Sequence, residues 1–222
     1  MKRILCYGDS NTHGCNPQWK AEWEADPSKG VRFSEEIRWT GVLQKLLGEE
    51  YTVIEEGLPG RTTVYADSIY PYQDGRAAVV PTVLSQSPID LMVIMLGTND
   101  LKVSFTPSED VLGRAMEELL KVIKNPYIWE HRKVPKILIV SPPAICDEIE
   151  RSHFFGMYDE KSVELSKKMG SVYEKVSKNY DCYFLDAAQY VKASELDCIH
   201  MDPKNHRKLA EVLDEKIKEI LE

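Results

Sequence analysis

Two periods of apolar positions run through the chain. Short runs rich in Ile, Val, Leu and Tyr at 3–7, 51–55, 90–96, 136–140 and 182–185 predict five strands. Leu-Met-Val-Ile-Met-Leu at 91–96 and Ile-Leu-Ile-Val at 137–140 are continuously apolar, as strands covered by helices on both faces are. Helical spacing fills the intervals. Val111, Leu112, Ala115, Met116, Leu119, Leu120 and Ile123 form one stripe. Thr106-Pro107-Ser108-Glu109 predicts its start, with Thr106 as N-cap, Pro107 at the first helical position and Glu109 closing a capping box; Asn125-Pro126 stops it. Asp202-Pro203 opens a last helix that buries Leu209, Val212, Leu213, Ile217, Ile220 and Leu221. Further helices are predicted at 39–47, 76–85 and 161–179, the second strained or broken by Pro81. Strands alternating with helices predict an α/β fold on a parallel sheet.

No repeat, low-complexity tract or Gly/Ser linker interrupts the pattern, so residues 1–222 are expected to form one domain. Two long connections stand out, at 11–36 and 141–159, and loops of that length in a compact domain are usually functional. The first carries Trp19, Trp23 and Phe33; the second carries His153, Phe154, Phe155, Met157 and Tyr158.

Composition narrows the class. A net charge of −8 with 43% hydrophobic residues argues against disorder, and against nucleic acid or an anionic membrane as the main partner. The first residues lack the apolar core of a signal peptide, and the run at 91–96 is too short to span a bilayer. Cys6, Cys15, Cys146, Cys182 and Cys198 show no C-x-x-C pair, so reduced thiols in a cytoplasmic protein are expected.

The candidate chemistry lies where the strands end, since open parallel sheets bind ligands at their carboxyl edge. The first strand delivers Gly8-Asp9-Ser10-Asn11, the second Gly57-Leu58-Pro59-Gly60-Arg61, the third Gly97-Thr98-Asn99-Asp100, the fourth Ser141-Pro142-Pro143. Asp197-Cys198-Ile199-His200 precedes the last helix. A hydroxyl, an Asp/His pair, an amide and glycine N–H groups are the parts of acyl transfer. Ser10 is the candidate nucleophile, although its surroundings are not the G-x-S-x-G elbow. His200 is the candidate base, oriented by Asp197. The N–H groups of Ser10 and Gly60 and the side-chain amide of Asn99 are candidate oxyanion donors. Each residue also has a plainer reading: a turn serine, a capping or surface histidine, a turn glycine, a strand-end cap.

Four blocks, Gly8-Asp9-Ser10-Asn11-Thr12-His13-Gly14, the Gly60 turn, Gly97-Thr98-Asn99-Asp100 and Asp197-x-x-His200, resemble the GDSL-type, or SGNH, serine hydrolases, in the right order. Arg38-Trp39-Thr40-Gly41-Val42-Leu43, Val53-Ile54-Glu55-Glu56-Gly57-Leu58, Arg61-Thr62-Thr63 and Val140-Ser141-Pro142-Pro143 look most like the arylesterase/acyltransferase branch. The resemblance implies a flavodoxin-like three-layer α/β/α sandwich with a five-stranded parallel sheet. It also implies a Ser10–His200–Asp197 triad, an oxyanion hole of Ser10, Gly60 and Asn99, and no metal or organic cofactor. The implied partner is a small ester, and the aromatic loops together with the resemblance point to a homo-oligomer. Asn11, His13, Phe154 and Ile199 are candidate substrate-pocket residues. Asn11 replaces the leucine of the namesake motif, His13 stands where close relatives often carry tryptophan, and Cys198 stands where glycine is common.

Weaker constellations remain. Cys198 with His200 offers a Cys–His nucleophile, Glu55-Glu56 a glycosidase-like carboxylate pair, and Arg61 and Arg76 an anion clamp, with solvated or interface arginines the plainer reading. No G-x-G-x-x-G or Walker lysine follows the first strand. The same triad also serves carbohydrate O-deacetylases and lysophospholipases, and a catalytically silent binding module is the rival of another class.

Overall fold

A computed structural model describes residues 1–18, 31–67, 70–130 and 132–222. Trp19, Trp23 and His131 lie outside the described residues. Strands β1 (Lys2–Gly8), β2 (Tyr51–Gly57), β3 (Leu91–Met95), β4 (Lys136–Ser141) and β5 (Tyr183–Asp186) form one sheet, ordered β2-β1-β3-β4-β5. Every pairing is parallel. The helices are α1 (Ser10–His13), α2 (Trp39–Leu47), α3 (Gly75–Gln86), α4 (Glu109–Ile123), α5 (Glu160–Asn179) and α6 (Pro203–Leu221).

Successive strand side chains point to opposite faces, so the apolar strands feed two cores. Leu5, Tyr7, Met92, Ile94, Ile137 and Ile139 pack beneath α3, α4 and α5. Ile4, Cys6, Leu91, Val93, Leu138 and Val140 pack beneath α2 and α6. This is the expected three-layer α/β/α sandwich. The winding reverses at β1, which opens a crevice between the carboxyl ends of β1 and β3.

Two local expectations are corrected. Helix α4 is capped by Ser108, whose side chain accepts from Val111 N; Thr106 instead turns the chain with φ of 51°. Helix α3 runs unbroken through Pro81. Pro81 and Ala77, whose carbonyl loses its helical donor, both lie on the exposed face, where water can replace the missing N–H.

His206, on α6, caps a different helix. The N-cap residue of α2, Arg38, makes no side-chain cap bond, and His206 Nδ1 accepts from Trp39 N at 3.2 Å. Burial holds His206 neutral, pulling its pKa from 6.5 down to about 3. The unfolded chain takes up this proton first, so stability declines as pH falls below about 6.5 and keeps declining toward about 3. Urea unfolding of the wild type at pH 5 should show about 2 kcal/mol less stability from this group than at pH 7. In His206→Asn, whose side-chain oxygen can still accept, that increment should be absent, so the wild-type-minus-variant difference should itself fall by about 2 kcal/mol between pH 7 and pH 5.

Candidate active site

Ser10 opens the turn that leaves β1. Asp9 caps this turn, its carboxylate accepting from Asn11 N at 2.9 Å, and Gly14 closes it with φ of 85°. Gly8 cannot carry a side chain, because a Cβ there would fall 2.0 Å from Thr12 Oγ1. Ser10 is 6% exposed, and among the described residues its hydroxyl makes no hydrogen bond, which leaves it free at the crevice.

Asp197 and His200 meet on the turn before α6. Asp197 Oδ1 accepts from Ile199 N at 3.0 Å and His200 N at 2.9 Å, which curls the turn. Its Oδ2 stands 2.6 Å from His200 Nδ1. Burial alone would raise the pKa of this carboxyl, but the His200 ring and the two N–H groups hold it below the ordinary value. An ionised Asp197 selects the imidazole tautomer with its proton on Nδ1, leaving the Nε2 lone pair to receive a proton.

The two segments are joined by Asn11. Its Nδ2 donates to Ile199 O at 3.2 Å and its Oδ1 accepts from Met201 N at 3.0 Å. The residue after Ser10 thus grips the residues on either side of His200. Asn11, expected at the pocket wall, is 1% exposed, and its amide is spent on this clasp. Ser152 adds a second tie, its hydroxyl donating to Asp197 O at 2.6 Å while accepting from Phe154 N at 3.1 Å. The connection after β4 is therefore fastened to the Asp197 turn.

On the opposite side of the crevice, Gly60 adopts φ of +80°, and a Cβ there would overlap the Gln73 amide. Leu58 N donates to Gly8 O at 3.1 Å, bringing the turn beside the end of β1. Among the described residues neither the Ser10 nor the Gly60 N–H has a hydrogen-bond partner. Asn99 follows β3; its Nδ2 donates to Arg61 O at 3.1 Å, and its Oδ1 accepts from Tyr158 OH at 3.1 Å. These bonds fix which way the amide faces and leave one Nδ2 hydrogen unspent.

Tyr158, read from the sequence only as a loop aromatic, is a positioning residue for Asn99. Tyr158→Phe should lower kcat about tenfold, the order expected from one lost buried hydrogen bond, with KM little changed. Steady-state kinetics on a short aryl ester would check this.

Arg61 corrects the clamp and surface readings. It is 5% exposed, lies 4.2 Å from the Tyr7 ring centre, and donates from Nη1 to Gly8 O and Glu56 O. It is a buried pin holding the ends of β1 and β2 together. Two buried carboxyls lie under the site. Burial pushes Asp9 up to about 6, against the pull of Asn11 N, His200 and Arg61. It pushes Asp100 up to about 7, against hydrogen bonds from the Thr63 hydroxyl and N–H.

Of the remaining pocket candidates, Phe154 stands edge-on to His200 with ring centres 5.7 Å apart, and the His153 ring lies tilted against Phe154 with centres 4.1 Å apart. Ile199 is buried in the core beneath α3, α4 and α5. His13 is half-buried, its carbonyl held by Arg32 Nε at 2.7 Å. Glu55 pairs with Arg32 and Arg38 rather than with Glu56. Cys198 Sγ points toward Glu195 O at 4.0 Å, and the residue is 1% exposed.

Comparison with known proteins agrees with this geometry. The model of the GDSL-like Lipase/Acylhydrolase family matches residues 6–208. The chain belongs to that family. Its members are carboxylic ester hydrolases. No curated protein matches the chain in sequence. Among solved structures, the M. smegmatis aryl esterase is 32% identical, with a TM-score of 0.89 over 100% of both chains. A carbohydrate acetylesterase from Sinorhizobium meliloti is 28% identical, with a TM-score of 0.89 over 100% of both chains. A carbohydrate acetylesterase family member from the same organism is 33% identical, with a TM-score of 0.87 over 100% of this chain and 99% of the other. Within the family, the chain falls in the arylesterase branch. Among the described residues, no helix is long and apolar enough to cross a membrane.

Proposed function

We propose that this GDSL-family member is a serine esterase acting on small carboxylic esters through an acyl-enzyme. The observation that carries the reading is the 2.6 Å Asp197–His200 contact, held next to Ser10 by the two Asn11 bonds. Ser10 Oγ attacks the acyl carbon while His200 Nε2 takes its proton. The oxyanion of the tetrahedral intermediate is met by Ser10 N–H, Gly60 N–H and Asn99 Nδ2, each such donor contributing about 10²–10³ in turnover. His200 returns the proton to the leaving alcohol. Water, deprotonated by His200, then attacks the acyl-enzyme, releasing the acid and restoring Ser10. Where another alcohol or hydrogen peroxide takes the place of water, the same steps give acyl transfer. Phe154 against His200 supplies an apolar wall and favours short acyl groups. A cytoplasmic location and a homo-oligomeric state belong to the same reading.

Intact mass after treatment with a fluorophosphonate probe tests it. One adduct is expected, mapped to the peptide containing Ser10, with turnover of p-nitrophenyl esters falling from acetate to octanoate. No adduct and no turnover would overturn the esterase reading in favour of a binding module. The structural neighbours named as carbohydrate acetylesterases support a second reading, sugar O-deacetylation by the same residues. Faster release of acetate from acetylated sugars than from aryl acetates would favour it.

A further inference from the structure

Cys146 follows β4 and Cys198 precedes α6, far apart in sequence, yet they lie side by side. Cys146 N donates to Cys198 O at 3.1 Å. One such bond between two residues sets their Cα atoms about 5–6 Å apart, within the span that a disulfide bridges. Both thiols lie over the same turn. Cys146 Sγ reaches Ala193 O at 3.4 Å and Ser194 O at 3.6 Å, and Cys198 Sγ reaches Glu195 O at 4.0 Å. Each thiol also perturbs the ionisation of the other through a side-chain contact. The geometry points to a modification site: Cys146 and Cys198 form a reversible disulfide under peroxide, and the bond restrains the turn that carries Asp197 and His200.

Chemistry and access set the order of steps. Cys146 is the more exposed of the two, with Cys198 sealed in the core. The Cys146 sulfur attacks hydrogen peroxide, the O–O bond breaks, and water leaves with formation of a sulfenic acid. The Cys198 sulfur then attacks the Cys146 sulfur; an S–S bond forms, the S–O bond breaks, and a second water carries off the Cys198 proton. In total, two thiols and one peroxide become one disulfide and two waters. Burial pushes the Cys146 thiol up to about 12, so the pair resists casual oxidation and reacts faster as pH rises.

The bond would be felt at the site because Cys198 sits between the two residues it would disturb. Its backbone is left-handed, with φ of 67°, a conformation a side chain tolerates poorly, and its neighbour Asp197 holds His200 through two contacts and the intervening Ile199 N–H through a third. Drawing Sγ of Cys198 toward Cys146 pulls on that turn, and a displacement of about 1 Å at a catalytic group costs about 10²-fold in rate.

The test treats the whole protein with hydrogen peroxide, removes the oxidant with catalase, and reads mass and turnover before and after dithiothreitol. The expected product has lost two hydrogen masses and yields a peptide cross-linked between Cys146 and Cys198. Aryl ester turnover should be at least about tenfold lower and recover on reduction. Cys146→Ser should show neither the cross-link nor the reversible loss, with basal turnover unchanged. Absence of the cross-link, or a bridge to another cysteine, overturns the site. A cross-link with unchanged turnover, or an equal reversible loss in Cys146→Ser, overturns the restraint. The activity arm rests on the esterase reading and the mass arm does not, so a protein that cross-links but never turns over an ester would count against that reading alone.

Discussion

Ser10→Ala is expected to lower kcat on a short aryl ester by about 10⁴–10⁶ while leaving the fold intact. Among the described residues the Ser10 hydroxyl makes no hydrogen bond, so its removal orphans no partner and opens a void of one atom at the crevice. The helix turn that presents it is held by other groups: Asp9 on Asn11 N, Gly14 N on Ser10 O, and the Asn11 clasp. Thermal unfolding should therefore move little, as for a substitution worth within about 0.5 kcal/mol. The oxyanion donors remain, so the residual rate should still exceed the uncatalysed one by up to about 10³–10⁴. Paired measurements of p-nitrophenyl acetate hydrolysis and melting temperature decide the matter. A variant within tenfold of wild type would remove Ser10 from the nucleophile's role.

The parts of this site visible in the sequence were those set by local chemistry. Strand ends are marked by an apolar run giving way to Gly, Ser or Asn, and a parallel sheet brings all such ends to one edge; Ser10, Gly60 and Asn99 are therefore legible together. Asp197 and His200 are three residues apart, close enough to meet within a single turn. What holds these groups in place is long-range and was not legible. Asn11 acts on residues 188 and 190 positions away, and Tyr158 on one 59 positions away. Nothing in a one-dimensional pattern separates a clasping amide from a pocket amide. Arg61 misled for a related reason: arginine is usually exposed, and only the fold shows its charge spent on the carbonyls of Gly8 and Glu56. The unbroken α3 belongs with these, since Pro81 is tolerated only because its face meets water, a fact of packing rather than propensity.

Asp197→Asn is the more informative change, because it keeps the shape and alters only the charge and one donor. It should lower kcat/KM by about 10⁴. Asparagine Oδ1 can still accept from the N–H groups of Ile199 and His200, so the turn has reason to persist. Its Nδ2, however, presents a hydrogen to His200 Nδ1. The ring must then carry its own proton on Nε2, the atom that has to accept the Ser10 proton, and the charge that offsets the imidazolium is gone. The loss should appear in acylation, so fluorophosphonate labelling should slow in parallel with turnover. Stability supplies a second readout with a definite sign. The carboxyl's pKa lies below its ordinary value of 3.8 in the folded protein, so its contribution is present above about pH 4 and disappears as pH falls through the folded value. Wild type should be more stable than the variant at pH 7, and the gap should close in acid. If Asp197→Asn keeps more than about a tenth of wild-type kcat/KM, a deficit far smaller than a wrong tautomer produces, Asp197 does not orient His200 for proton transfer.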